Sequence, residues 1–233
     1  MTEPRTRWPG RLRNLASWWR RPPPVVAATP CDVMLRENKL QLLRYRARPD
    51  GLAYRTPLLL VPSMINRHYV LDLAPGKSLV QWLVAQGHDV WCIDWGTPTA
   101  EDRYLDFDDF AGRYLGRCVR SAAALGGADR VHLLGYCMGG IFTAAYTAVA
   151  PDAIASLIAL AAPVRFDDDG LLSRWTRDEG FDVGLLAAAT GNVPWQLLQS
   201  SFNLLRPTLP LTKLVGVIDR SDRDGFLEGF AAL

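Results

Sequence analysis

Gly135-Tyr136-Cys137-Met138-Gly139 stands behind the apolar run Val131-His132-Leu133-Leu134 and ahead of Gly140 and a small-residue stretch, 141–149. No other segment limits so tightly what this chain can fold into. A G-x-nucleophile-x-G frame uses its glycines because a strand must turn into a helix within a few residues. The central side chain is then left strained at the strand's carboxyl edge. The frame predicts a strand, a nucleophile elbow at Cys137 and a helix over 141–149. Cysteine in that seat points to covalent acyl chemistry.

The remaining composition fits one α/β domain. With 233 residues, 49% of them hydrophobic, the chain can bury a substantial core without disulfides or metal. Charge is uneven: residues 1–48 carry eleven Lys/Arg against three Asp/Glu, leaving fifteen against twenty-one for the remainder. The basic excess therefore belongs to the N-terminal arm and first strands, and it does not suggest a nucleic-acid partner. Cys31, Cys92, Cys118 and Cys137 include no C-x-x-C pair, which argues against zinc and against a disulfide framework. A reducing cytoplasm is the expected location. Five arginines within the first twenty residues leave no room for a signal-peptide core. The nearly uncharged stretch 131–150 reads as a buried strand and helix, not a membrane span, because it holds His132, three glycines and the elbow.

Three parts are expected: a basic, Trp- and Pro-rich arm over 1–30, a catalytic core over 31–164, and a cap or lid segment over 165–233. In the arm, Trp8, Leu12, Leu15, Trp18 and Trp19 recur at helical spacing among arginines, a pattern that suits an apolar, anionic surface. Folding back onto the domain, or disorder, suits the short length and prolines better. In the core, strands are predicted over 39–46, 57–61, 89–93, 131–134 and 154–160. Helices are predicted from Pro75 to Gln86 and along the face Phe107, Phe110, Ala111, Tyr114, Leu115, Cys118, Val119, Ala122 and Leu125. Asp106 is the N-cap of the second and Gly126-Gly127 its stop. Such β-α alternation implies a mainly parallel sheet with helices on both faces and ligands at the strands' carboxyl ends.

Several longer segments carry a family resemblance. They are Val61-Pro62-Ser63-Met64-Ile65-Asn66-Arg67-His68-Tyr69-Val70-Leu71-Asp72-Leu73, Gly87-His88-Asp89-Val90 leading to Ile93-Asp94-Trp95-Gly96, and Leu133-Leu134-Gly135-Tyr136-Cys137-Met138-Gly139-Gly140. With Thr29-Pro30, Arg36-Glu37-Asn38-Lys39, Ala162-Pro163-Val164 and Gly191-Asn192-Val193-Pro194, they resemble polyhydroxyalkanoate synthases over most of residues 29–220. The short N-terminal region and the segment 36–46 suggest the catalytic subunit of the two-subunit, class III type. The resemblance implies an α/β-hydrolase fold and polymerisation of (R)-3-hydroxyacyl-CoA into a growing polyester with release of CoA. It implies no cofactor beyond that CoA thioester substrate. It also brings in a synthase partner subunit or self-association, and the polyester granule surface as a second location.

Cysteine suits that chemistry, since passing an acyl group from CoA to Cys137 exchanges one thioester for another and keeps it activated. The expected oxyanion donors are the backbone N–H of Met138 and one from the loop Ser63, Met64 and Ile65. Of the histidines, His132 is expected to point into the sheet's packing and His88 to be surface or hinge. His68 lies on a loop that approaches the elbow, but a structural role is favoured for it, as for Asp94, which is expected to support the turn after its strand. Cys31, Cys92 and Cys118 are expected to be packing residues.

No histidine follows Cys137, although the nucleophile–acid–histidine order of the fold requires one. Asp219, Asp222 and Asp224 stand in a polar, helix-like segment without a preceding buried strand. The sheet is accordingly expected to be incomplete at its C-terminal end, with an unpaired edge, and Cys137 to lack its general base. The leading reading is the N-terminal part of a synthase, inactive alone. The alternatives are a non-catalytic family member that binds a synthase or granule, and another Cys-dependent acyltransferase or a polyester depolymerase.

Overall fold

A computed structural model describes residues 25–205 apart from 166, 168, 171, 172, 175, 176 and 179. The arm's Trp8 to Trp19 pattern and Asp219, Asp222 and Asp224 lie outside the described residues. The chain divides into two compact units, one of residues 27–167 and one of 1–26 with 168–233.

The first unit is built on six strands: β1 (Cys31–Glu37), β2 (Leu40–Tyr45), β3 (Tyr54–Val61), β4 (His88–Asp94), β5 (Val131–Tyr136) and β6 (Ile154–Leu160), in the order β1-β2-β4-β3-β5-β6. β1 and β2 form a hairpin through Asn38-Lys39. Asn38 takes the positive φ of 52° that a two-residue turn demands and that asparagine tolerates. β2 runs antiparallel to β4, and β4, β3, β5 and β6 run parallel to one another. Among the described residues β6 pairs only with β5.

Near-continuous apolar strands arise because both faces of the sheet are covered. Leu59, Val61, Trp91, Ile93, Val131 and Leu133 pack on one face against α2 (Leu115–Gly126) and α3 (Met138–Val149). Alternate residues Leu58, Leu60, Val90, Cys92 and Leu134 face α1 (Leu79–Gln86), which contributes Val80 and Leu83. Each fully buried leucine contributes about 2 kcal/mol.

Boundaries differ from the sequence expectation for local reasons. β3 begins at Tyr54, earlier than 57. α1 begins at Leu79 and not at Pro75, because the Ser78 hydroxyl accepts the Gln81 N–H (2.8 Å) and fixes the N-cap there. Asp106 does cap its helix, accepting the Asp109 N–H (3.0 Å) while Asp109 accepts the Asp106 N–H (3.1 Å). Residues Asp109–Tyr114 are π-helical, a wider turn that an apolar pattern with offsets of three and four does not reveal. Gly127, at φ 69°, ends α2 as expected. In the second unit the described residues include α4 (Val183–Thr190), capped by Asp182, and α5 (Trp195–Leu205).

Two ion pairs, Arg44 of β2 with Asp89 of β4 and Arg46 just after β2 with Asp32 of β1, differ in burial. The Asp89 carboxylate is 2% exposed and accepts from Nε and one Nη of Arg44 at 2.9 and 3.1 Å, whereas Arg46–Asp32 lies open to solvent. Removing one partner of a buried pair strands a charge, at about 3–5 kcal/mol; an exposed pair contributes little. Urea titration of Arg44→Ala is therefore expected to lower the unfolding midpoint strongly, while Arg46→Ala leaves it nearly unchanged. Equal effects would contradict this assignment.

Candidate active site around Cys137

Strand register collects the site. Val61 of β3 lies opposite Gly135 of β5, Tyr136 of β5 opposite Leu160 of β6, and Leu60 of β3 opposite Cys92 of β4. The ends of four parallel strands therefore share one edge, and Cys137 follows β5 directly at that edge.

Cys137 occupies the N-cap of α3 with φ 54° and ψ −122°, a region rarely visited by residues other than glycine. Such a conformation costs about 1–3 kcal/mol and persists only where its surroundings enforce it. Here the Cys137 N–H donates to the Leu160 carbonyl (2.9 Å) and the Cys137 carbonyl accepts the Gly140 N–H (2.9 Å), tying the residue to β6 and to its own helix. The positive φ thus falls on the cysteine and not on the flanking glycines. Those are required for closeness: a Cβ on Gly139 would overlap the Val61 carbonyl oxygen, and one on Gly135 would meet the Thr143 hydroxyl and the Gly140 Cα. The helix can begin against the end of β3 only because no side chain intervenes. It starts at Met138, three residues before the stretch expected from sequence.

The Met138 N–H is the first of α3 and so has no intrahelical acceptor. Among the loop residues proposed to supply the second donor, Ser63 is fully buried and its hydroxyl accepts the Ile65 N–H (3.1 Å). That bond occupies Ile65 and leaves Met64 as the loop's candidate. The loop is fixed against the β4 end by the Trp95 indole N–H, which donates to the Pro62 carbonyl (2.9 Å).

The remaining candidates separate clearly. His132 lies on β5, partly exposed and not packed into the sheet as expected, with Nδ1 2.7 Å from the Ser156 hydroxyl. His88 opens β4 and stacks on Tyr54 at 4.5 Å. Asp94 supports its turn as expected, accepting the Gly96 N–H (3.0 Å), but it also faces His68, with Nδ1 to Oδ2 at 3.2 Å. Burial pushes the Asp94 carboxyl up; the His68 ring, the Gly96 N–H and the Arg67 charge outweigh it and hold the group below its ordinary value. Sequence reading considered His68 and Asp94 separately and missed their contact, since twenty-six positions divide them and only strand order brings them together.

Cys92 is fully buried and its thiol is pushed well above its ordinary value by burial, then by Asp94. Cys118 is pushed to about 12 by burial and by Glu37. Cys31 is partly exposed, not fully packed, and is also raised by burial first. Thiolate is the reactive form. Timed iodoacetamide labelling of the native chain should therefore modify Cys137 first, Cys31 more slowly, and Cys92 and Cys118 only after unfolding. Early labelling of Cys92 or Cys118 would contradict the packing.

No group of metal-ligating side chains occurs among the described residues, and none of the described helices is long and apolar enough to cross a membrane. Residues 24–83 match the family described as poly-beta-hydroxybutyrate polymerase (PhaC) N-terminus, and residues 56–184 match the alpha/beta hydrolase fold. The poly(3-hydroxyalkanoate) polymerase subunit PhaC of Haloferax mediterranei is 39% identical over 210 residues, 89% of this chain and 42% of that protein. Its counterpart in Allochromatium vinosum is 38% identical over 206 residues, 87% of this chain and 57% of that protein. The chain thus spans about half the length of these curated relatives. Among solved structures, the thioesterase domain from the curacin biosynthetic pathway aligns at 16% identity with TM-score 0.44, covering 64% of this chain and 50% of that one. Strand order, elbow and matched segments agree: the chain belongs to the α/β-hydrolase fold family, and along most of its length it is similar to poly(3-hydroxyalkanoate) polymerases, whose N-terminal family its residues 24–83 match.

Proposed function

We propose that Cys137 is the acyl-accepting nucleophile of a polyester synthase that uses (R)-3-hydroxyacyl-CoA. The observation that carries this reading is a cysteine held at φ 54° between the end of β5 and the N-terminus of α3, the seat of a nucleophile. That its relatives are poly(3-hydroxyalkanoate) polymerase subunits supports the choice of reaction.

In the proposed step the Cys137 sulfur attacks the thioester carbonyl. The carbonyl oxygen becomes an oxyanion held by the N–H groups of Met138 and Met64; the bond to the CoA sulfur then breaks, and the CoA thiolate departs to take up a proton. A preorganised donor of this kind is worth about 10²–10³ in rate. The new thioester is as activated as the old, so the hydroxyl of another 3-hydroxyacyl unit can attack it and lengthen the polyester. No cofactor is needed. A water-insoluble product places the work at a granule surface, and a partner subunit or self-association belongs to the same proposal.

A neutral thiol is only a few per cent thiolate at pH 7, and a neighbouring base normally raises that share. Because no histidine follows Cys137 in these 233 residues, we propose that they turn over slowly by themselves. Incubation with 3-hydroxybutyryl-CoA should release about one equivalent of CoA per chain and then little more, the signature of acyl-enzyme accumulation. Cys137→Ala should release none. Release that continues undiminished in Cys137→Ala would overturn the proposed nucleophile. Fast, sustained release dependent on Cys137 would show that a base lies within these residues.

A further inference from the structure

The loop between β3 and α1 is tied down at three places along its length. At its start the Pro62 carbonyl accepts the Trp95 indole N–H, and the buried Ser63 hydroxyl accepts the Ile65 N–H. At its far end the buried Asp72 carboxylate accepts the Thr29 N–H (3.1 Å), the Thr29 hydroxyl (2.8 Å) and the Ser78 hydroxyl (2.5 Å), while its carbonyl accepts the Ala27 N–H (2.9 Å). Between these anchors His68 reaches the end of β4, its Nδ1 3.2 Å from Asp94 Oδ2, a close contact whose geometry does not make a hydrogen bond. Both side chains are largely withdrawn from water, at 17% and 18% exposure. The second Asp94 oxygen is already held by the Gly96 N–H, so the carboxylate is a fixed post.

We propose that His68, through Asp94, is a positioning residue that clamps the loop carrying the Met64 N–H in register with Cys137. The inference rests on the reading of Cys137 as an acyl acceptor and adds a role outside the elbow. Direct proton abstraction from the thiol is disfavoured by the strand order. Asp94 ends β4, on one side of β3, and Cys137 follows β5, on the other, so about two strand spacings of 4.8 Å each separate the two strand ends. The pair instead grips the loop that crosses the top of β3. A donor displaced by about 1 Å can lose as much as 10²-fold in rate, so a clamp four residues from Met64 has leverage on the oxyanion site.

Two reactions of the same thiol test this in the 233-residue chain. Acylation by p-nitrophenyl butyrate passes through an oxyanion; alkylation by iodoacetamide requires only thiolate. In His68→Ala, acylation of Cys137 followed by intact mass should slow at least tenfold while alkylation stays within twofold of wild type. His68→Asn, whose amide N–H stands where Nδ1 does, should recover most of the loss. Equal slowing of both reactions would overturn the clamp in favour of a direct effect on the thiol, and unchanged acylation would overturn it outright. If wild type alkylates at Cys137 but never acylates, the acyl-acceptor reading is what fails. Amide hydrogen exchange then decides the clamp: residues 63–67 should exchange at least tenfold faster in His68→Ala with α3 unaffected, and unchanged exchange rejects it.

Discussion

The approach of α3 to the end of β3, with no side chain between them, is the constraint on which the site depends. Gly139 meets the Val61 carbonyl, and Gly135 gives way to Thr143 and Gly140. This closeness forces the β5-to-α3 connection to turn at a single residue, and that residue is Cys137 at φ 54°. Its unfavourable backbone is offset by the Leu160 and Gly140 hydrogen bonds and by the packing of Phe142 and Tyr146 behind it. A side chain presented this way cannot swing aside, because its backbone is fixed by two strands and a helix.

Everything else at the carboxyl edge is arranged around that fixed point. β3 lies between β4 and β5, so the loop after Val61 passes between the Asp94 end and the Cys137 end. Trp95, Ser63 and Asp72 secure that loop by hydrogen bonds, and Leu71 anchors it in the core. An electrostatic site gains from donors that need not reorganise when charge develops. In the proposed mechanism, attachment of the loop to β4 through Trp95 meets that condition. Behind it, Trp95 meets Phe110 and Phe142 edge-on at 5.7 and 5.8 Å, joining the β4 end to the π-helical turn and to α3.

Much of this was legible in the sequence because it follows from local rules. The elbow, the parallel β-α order, the Asp106 cap and the Gly127 stop all depend on residues close in the chain, and each is present in the fold. Strand 154–160 coincides with β6. The π-helical turn did not show, because Phe110 and Tyr114 fit an α-helical stripe equally well. The frame itself implies the strain at Cys137; that its glycines serve the close approach of α3 to β3, with the positive φ on the cysteine, shows only in the fold. The occupied Ile65 N–H and the His68–Asp94 contact depend on tertiary geometry, which periodicity does not encode.

The central claim is that Cys137 receives an acyl group by thioester exchange. It is tested most directly by peptide mapping, under mildly acidic quench, of the chain after exposure to 3-hydroxybutyryl-CoA. The account predicts a hydroxylamine-sensitive 3-hydroxybutyryl adduct on the peptide containing Cys137 and none on those containing Cys92 or Cys118. An unmodified Cys137, or an adduct located on another residue, would contradict it.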